Sequence, residues 1–102
     1  MSHRTYTLPQ IREANRLAGH CWFDPGTMRW FGSRVHATTY GPDSRGRVYF
    51  VSSEFTSFDR TTRAYSVRVF EPRNGTVSGS SEFNEFPTRA RAHAAARKIA
   101  AA

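Results

Sequence analysis

The chain has 102 residues and carries a formal charge of +7, from 15 basic residues against 8 acidic ones. With 38% apolar and 14% aromatic residues it is too rich in core formers for a solvating tail, and its length suits a single domain, residues 1–102. No apolar run approaches the roughly 20 residues of a membrane span, and no basic leader precedes an apolar stretch. The single Cys21 forms neither an internal disulfide nor a cysteine-based zinc site. A cytoplasmic protein is the expectation.

Residues 1–6 read as a polar lead-in. Thr7 and Gln10 then stand three apart as in a capping box, and Pro9 sits where its missing N–H has no helical partner to lose. Leu8, Ile11, Ala14, Leu17 and Ala18 recur at helical spacing, and Gly19 supplies the stop, which predicts a helix over 8–18. A second, shorter helix follows, with Asp24 as cap, Pro25 in the first position and Gly32 at the end. Its Met28, Trp30 and Phe31 are expected to plug the core, as is Trp22 just before it.

From Ser33 the period falls to two. Strands are predicted from 34 to 40, from 47 to 55 and from 63 to 71, with a turn cluster at 41–46 and a polar, mobile linker at 56–62. Asn74-Gly75 is a strong hairpin signal, and a weaker fourth strand follows over 76–83. Thr88 caps a last, Ala-rich helix over 89–101 whose Ala92, Ala95, Ala96 and Ile99 form a narrow packing face. The expected class is α+β: an N-terminal helix, a short second helix, a three- to four-stranded antiparallel sheet and a C-terminal Ala-rich helix, in two layers.

One of the basic residues is Lys98 and the other 14 are arginine, a fork-shaped, permanently charged donor suited to phosphate and carboxylate. Arg89, Arg91, Arg97 and Lys98 put +4 into the last 16 residues, which contain no acid. Arg97 and Lys98 also complement a helix C-terminus, whereas Arg89 and Arg91 sit at the opposite end of the dipole. The cluster reads either as a solvated face or as an anion contact.

The sheet offers a second surface. If Tyr65, Val67 and Val69 face the helices, Ser66, Arg68 and Phe70 face outward, and Arg34, His36 and Tyr40 line the outer side of the first strand. Arginines interleaved with rings on an open sheet are what single-stranded nucleic-acid binders use, although a pleated surface also accommodates these residues for packing alone. The second strand leaves its register open between Tyr49, Val51 and Val48, Phe50.

His20, Cys21 and His36 have no third soft ligand at standard spacing, so neither a metal nor a cofactor is expected, and Cys21 reads as a small buried hydrophobe. The acids are scattered, with Glu82 and Glu85 the nearest repeated pair, and no glycine loop suits a phosphate. The expectation is a binding protein and not an enzyme.

From Ile11-Arg12-Glu13-Ala14-Asn15 through Phe23-Asp24-Pro25-Gly26-Thr27-Met28-Arg29-Trp30-Phe31-Gly32-Ser33-Arg34-Val35 the chain resembles a family of small phage and prophage proteins with no assigned activity. Tyr49-Phe50-Val51-Ser52-Ser53-Glu54, Arg63-Ala64-Tyr65-Ser66-Val67-Arg68 and the Ala-rich helix extend the likeness over most of the chain. The resemblance implies a phage accessory protein working in a bacterial cytoplasm, and it transfers no functional residue. In the order of its elements the chain is also similar to double-stranded-RNA-binding domains. Only Arg91, Ala94, Ala95 and Ile99 follow that pattern and Asp24–Gly32 has no counterpart there, so this likeness is topological and confers no function.

Two functions follow as expectations. One is a nucleic-acid or nucleoprotein binder using Arg89, Arg91, Arg97, Lys98, Arg34, Arg68, Tyr40 and Phe70. The other is a protein-directed antagonist of a host defence system or host enzyme, with Trp22, Trp30, Tyr40 and Phe58 as anchors. A phage assembly component is a third reading without direct support, and an edge strand at 76–83 would suit a dimer.

Overall fold

A computed structural model describes residues 4–55, 62–79 and 85–101. Helix α1 (Leu8–Leu17) begins with the expected capping box: Thr7 Oγ1 accepts from the Gln10 amide and Gln10 Oε1 accepts from the Thr7 amide at 2.9 Å. Helix α2 (Pro25–Phe31) is capped by Asp24, whose carboxylate accepts from the Thr27 amide at 3.0 Å. It stops at Gly32, in the left-handed region at φ 62°, and the Phe55 ring fills the space that a side chain there would need.

Strands β1 (Arg34–Tyr40), β2 (Val48–Phe55), β3 (Arg63–Glu71) and β4 (Thr76–Gly79) form one antiparallel sheet in the order β1-β2-β3-β4. A two-residue strand β5 (Glu85–Phe86), absent from the sequence-based prediction, also pairs with β3. Helix α3 (Arg89–Ala100) closes the chain, with the Thr88 hydroxyl accepting from the Arg91 amide at 3.3 Å. The predicted linker 56–62 and fourth strand 76–83 lie partly outside the described residues, as do Phe58 and Glu82.

The class and element order are as expected, but the layering is not. The helices lie on opposite faces of the sheet, giving three layers. Val48, Phe50 and Phe70 pack with Leu8 and Ile11 of α1, whereas Tyr49, Val51 and Val67 pack with Ala92 and Ala96 of α3. Alternate residues of β2 point to opposite faces, and both sets are buried. The ambiguous register of β2 is thereby explained: a strand covered on both sides loses the apolar–polar alternation that would reveal its inside.

Two further expectations are corrected by the packing. Leu17 is exposed while Asn15 is 1% exposed, because α1 rests on the β3–β4 turn and Asn15 Nδ2 donates to the Gly75 carbonyl at 2.8 Å. Gly75 itself has φ 72°, and a Cβ there would stand 2.9 Å from the Ala14 carbonyl oxygen. The second correction concerns the apolar plug. Trp22 and Met28 are half-buried, but Trp30 is 74% exposed, and Cys21 is exposed as well.

The turn between β1 and β2 is organised by Asp43, a buried carboxylate. It accepts from the amides of Arg45 and Arg47, from Arg47 Nε at 3.0 Å and from the Tyr49 hydroxyl at 2.6 Å. Burial alone would raise its pKa, yet these donors hold it at about 2. The same burial and the same carboxylate push the Tyr49 hydroxyl up to about 12.

Candidate functional site

The five acids whose side chains are described all have partners within the chain. Glu13 pairs with Arg16, Asp43 with Arg47, Glu54 with Arg68 and Glu71 with Arg73, while the Asp24 carboxylate caps α2. What is left at the surface is a set of arginines without carboxylate partners among the described residues. Their positions decide which of them can act together.

In α3, at about 100° per residue, Arg89, His93 and Arg97 form one stripe, and Arg91 and Lys98 fall on another flank. The narrow buried face of Ala92 and Ala96 brings the first stripe against β1. There the Tyr40 hydroxyl and His93 Nδ1 are hydrogen-bonded at 2.7 Å, and the Arg97 guanidinium stands 5.6 Å from the Tyr40 ring centre. The His36 ring lies edge-on to His93 at 5.4 Å and tilted against Tyr65 at 6.0 Å.

Both imidazoles are held below the usual histidine range. For His36 the causes are burial, then His93 and the guanidinium groups of Arg89, Arg34 and Arg63. For His93 they are burial, then Arg89 and Arg97. His36 Nε2 is buried with no hydrogen-bond partner among the described residues. The seam is therefore a His–Tyr cluster whose imidazoles resist protonation, ringed by cations in a local field that attracts anions.

The predicted residues divide accordingly. Arg34, Tyr40, Arg89 and Arg97 meet around His36 and His93. Arg91 and Lys98 are exposed but lie on the other flank of α3. Arg68 is on the opposite face of the sheet from Arg34, and its side chain is 23% exposed and paired with Glu54 at 3.3 Å. Phe70 is fully buried under α1. The bare sheet face expected from the sequence does not exist: α1 covers the end that carries Phe70, and at the other end Arg68 is held by Ser52 and Glu54 beside Trp22.

The register of β1 against β2 shifts by two residues between Val35 and Thr39, which preserves the alternation: Val35 stays on the α1 side and Arg34, His36 and Tyr40 face α3. Sequence reasoning put His36 beside Arg34 and Tyr40 on one strand face but Tyr65 on the other, and it counted none of His36, His93 and Tyr65 among the binding residues. The spacing of Arg89, His93 and Arg97, four residues apart each time, was the signal that could have found the stripe.

Among the described residues no three His, Cys, Asp or Glu side chains converge as a metal site would require, and no helix is long and apolar enough to cross a membrane. Residues 7–97 match a family of unknown function, DUF7447. No curated protein and no solved structure matches the chain.

Proposed function

The chain belongs to the DUF7447 family of unknown function, and we propose from its geometry that it is a small basic protein that binds the phosphate backbone of nucleic acid. The observation that carries this reading is the convergence of Arg34, Arg89 and Arg97 on one seam, without a carboxylate partner among the described residues. Guanidinium groups held apart on a strand and a helix suit successive phosphates, and Tyr40 offers a polar ring beside Arg97. Arg91 and Lys98 add charge on a separate flank and contribute to attraction more than to register. The likeness to small phage proteins supplies a setting, a bacterial cytoplasm where nucleic acid is accessible.

Fluorescence anisotropy with labelled single- and double-stranded DNA and RNA tests the proposal. Affinity should fall steeply with salt, and each of Arg34→Ala, Arg89→Ala and Arg97→Ala should lower the log–log salt slope by roughly one. No binding of any of the four nucleic acids at low salt would overturn it.

One observation favours a second reading. Trp30 is 74% exposed and Leu17 71% exposed, and large exposed apolar side chains often anchor protein partners. A protein-directed antagonist would retain a partner from a host lysate after nuclease treatment and lose it on Trp30→Ala.

A further inference from the structure

The α1 side of the sheet is apolar at one end and polar at the other. Val48, Phe50 and Phe70 lie under α1, and farther along the same face stand Ser52, Glu54, Ser66 and Arg68. Glu54, Ser66 and Arg68 of this polar end floor a cleft of about 490 Å3, walled by Trp22 and Met28 and rimmed by Ser33. The floor is not a solvated patch: Ser66 is 4% exposed, the Arg68 and Glu54 side chains are only 23% and 20% exposed, and Ser52, bonded to both, is fully buried.

Within the cleft the polar groups are fixed but incompletely used. Glu54 Oε1 accepts from the Ser52 hydroxyl at 3.0 Å and from Arg68 Nη2 at 3.3 Å, and Arg68 Nε donates to Ser52 Oγ at 2.9 Å. Glu54 Oε2 and Arg68 Nη1 have no hydrogen bond with the described residues. An ion pair this sheltered adds little net stability, since desolvation offsets its attraction. Here it holds a carboxylate acceptor and a guanidinium donor side by side, with the Arg68 guanidinium 5.6 Å from the Trp22 ring centre.

An adjacent acceptor and donor beside an indole wall complement the free edge and the flat face of a heteroaromatic ring. We infer that this cleft takes one unpaired nucleobase, its edge on Glu54 and Arg68 and its face against Trp22. In a duplex that edge is already paired and the ring already stacked, so the cleft selects single strands. The cleft and the cationic seam lie on opposite faces of the sheet, so a strand that meets both must pass around its edge. Ser33 at the rim directly precedes Arg34, and Arg34 pairs across the ladder with Ser53, the neighbour of Glu54. The inference rests on the proposed nucleic-acid binding for its biological ligand, but the cleft can be tested without it.

Uncharged ribonucleosides carry the base and no phosphate. Titrated at millimolar concentration into the wild-type protein, at least one of the four should give saturable NMR shifts of the Trp22 indole N–H and of the Glu54 and Arg68 amides. In anisotropy, a single strand should bind roughly tenfold or more tighter than a duplex of the same length, and Glu54→Gln should remove that preference while leaving duplex binding unchanged. Nucleosides that leave those resonances unmoved, with equal affinity for single strand and duplex, would overturn the cleft and leave the phosphate-binding reading intact. Nucleoside shifts at the cleft with no binding of any oligonucleotide would do the reverse.

Discussion

The two faces of the sheet are closed by opposite means. Under α1, Phe50 and Phe70 are fully buried, Trp22 meets Phe50 edge-on at 5.6 Å, and Tyr6 meets Phe70 edge-on at 5.1 Å. Under α3 the helix contributes only Ala92 and Ala96 to the fully buried layer, and polar rings stand at its margin. Large rings give the first face its buried apolar area, on the order of 1.5–3 kcal/mol for each large side chain. Small residues let α3 approach the sheet closely enough for His93, Tyr40 and Arg97 to meet. Both faces are buried, but only the small-residue one also holds the cationic seam.

Truncation of the large-ring face should break the contrast most severely. Phe50→Ala should cost about 3–5 kcal/mol of unfolding free energy in urea, because the hole is lined from both α1 and the sheet. Enlarging the small-residue face should cost less: Ala96→Leu is expected to lose about 1–3 kcal/mol by overpacking. It should also push α3 outward, so binding should weaken by more than stability alone explains. An equal loss of binding in Phe50→Ala, measured where that variant is still folded, would erase the division of labour.

Asp43 ties the β1–β2 turn to Tyr49 on the α3 face. Asp43→Asn should cost about 1–3 kcal/mol, since the Tyr49 hydroxyl and Arg47 lose a charged acceptor. Because the folded pKa is about 2 and the unfolded value near 3.9, wild-type stability from this group is present above about pH 4 and is lost as pH falls toward 2. Urea midpoints for Asp43→Asn should lack that acid component.

The smallest effect concerns the imidazoles. Both are held below their unfolded pKa of about 6.5, so the unfolded chain binds protons first and stability falls as pH drops below that value. Arg34, Arg63, Arg89 and Arg97 surround them, which adds repulsion when they charge. His36→Phe removes an unpartnered buried nitrogen and should be at least as stable as wild type at pH 7.5, with a flatter melting-temperature profile between pH 7 and 5. A profile as steep as that of wild type would exclude His36 as its source.

The local signals in the chain were reliable where their physics is local. Thr7 with Gln10, Asp24 with Gly32 and Thr88 each mark a helix end, and the structure places caps or stops at all of them. Glu71 and Thr76 pair across the turn that Asn74-Gly75 announced. Such signals act over three or four residues, so the amino-acid order alone carries them. The candidate site was legible only in part: Arg34, Tyr40, Arg89 and Arg97 come together, whereas Phe70 and Arg68 belong to the other side of the sheet.

By itself the sequence determined the elements, their ends and an excess of arginine over acid. Only the tertiary structure decided which helix covers which face, and with that which arginines stand together. The reason lies in β2, where both alternating sets, Val48 with Phe50 and Tyr49 with Val51, are apolar and buried. Period-two alternation separates two faces without saying what each will meet. The choice depends on ring size against α1, alanine against α3, and the reach of Asn15 to the Gly75 carbonyl, contacts that span the length of the chain.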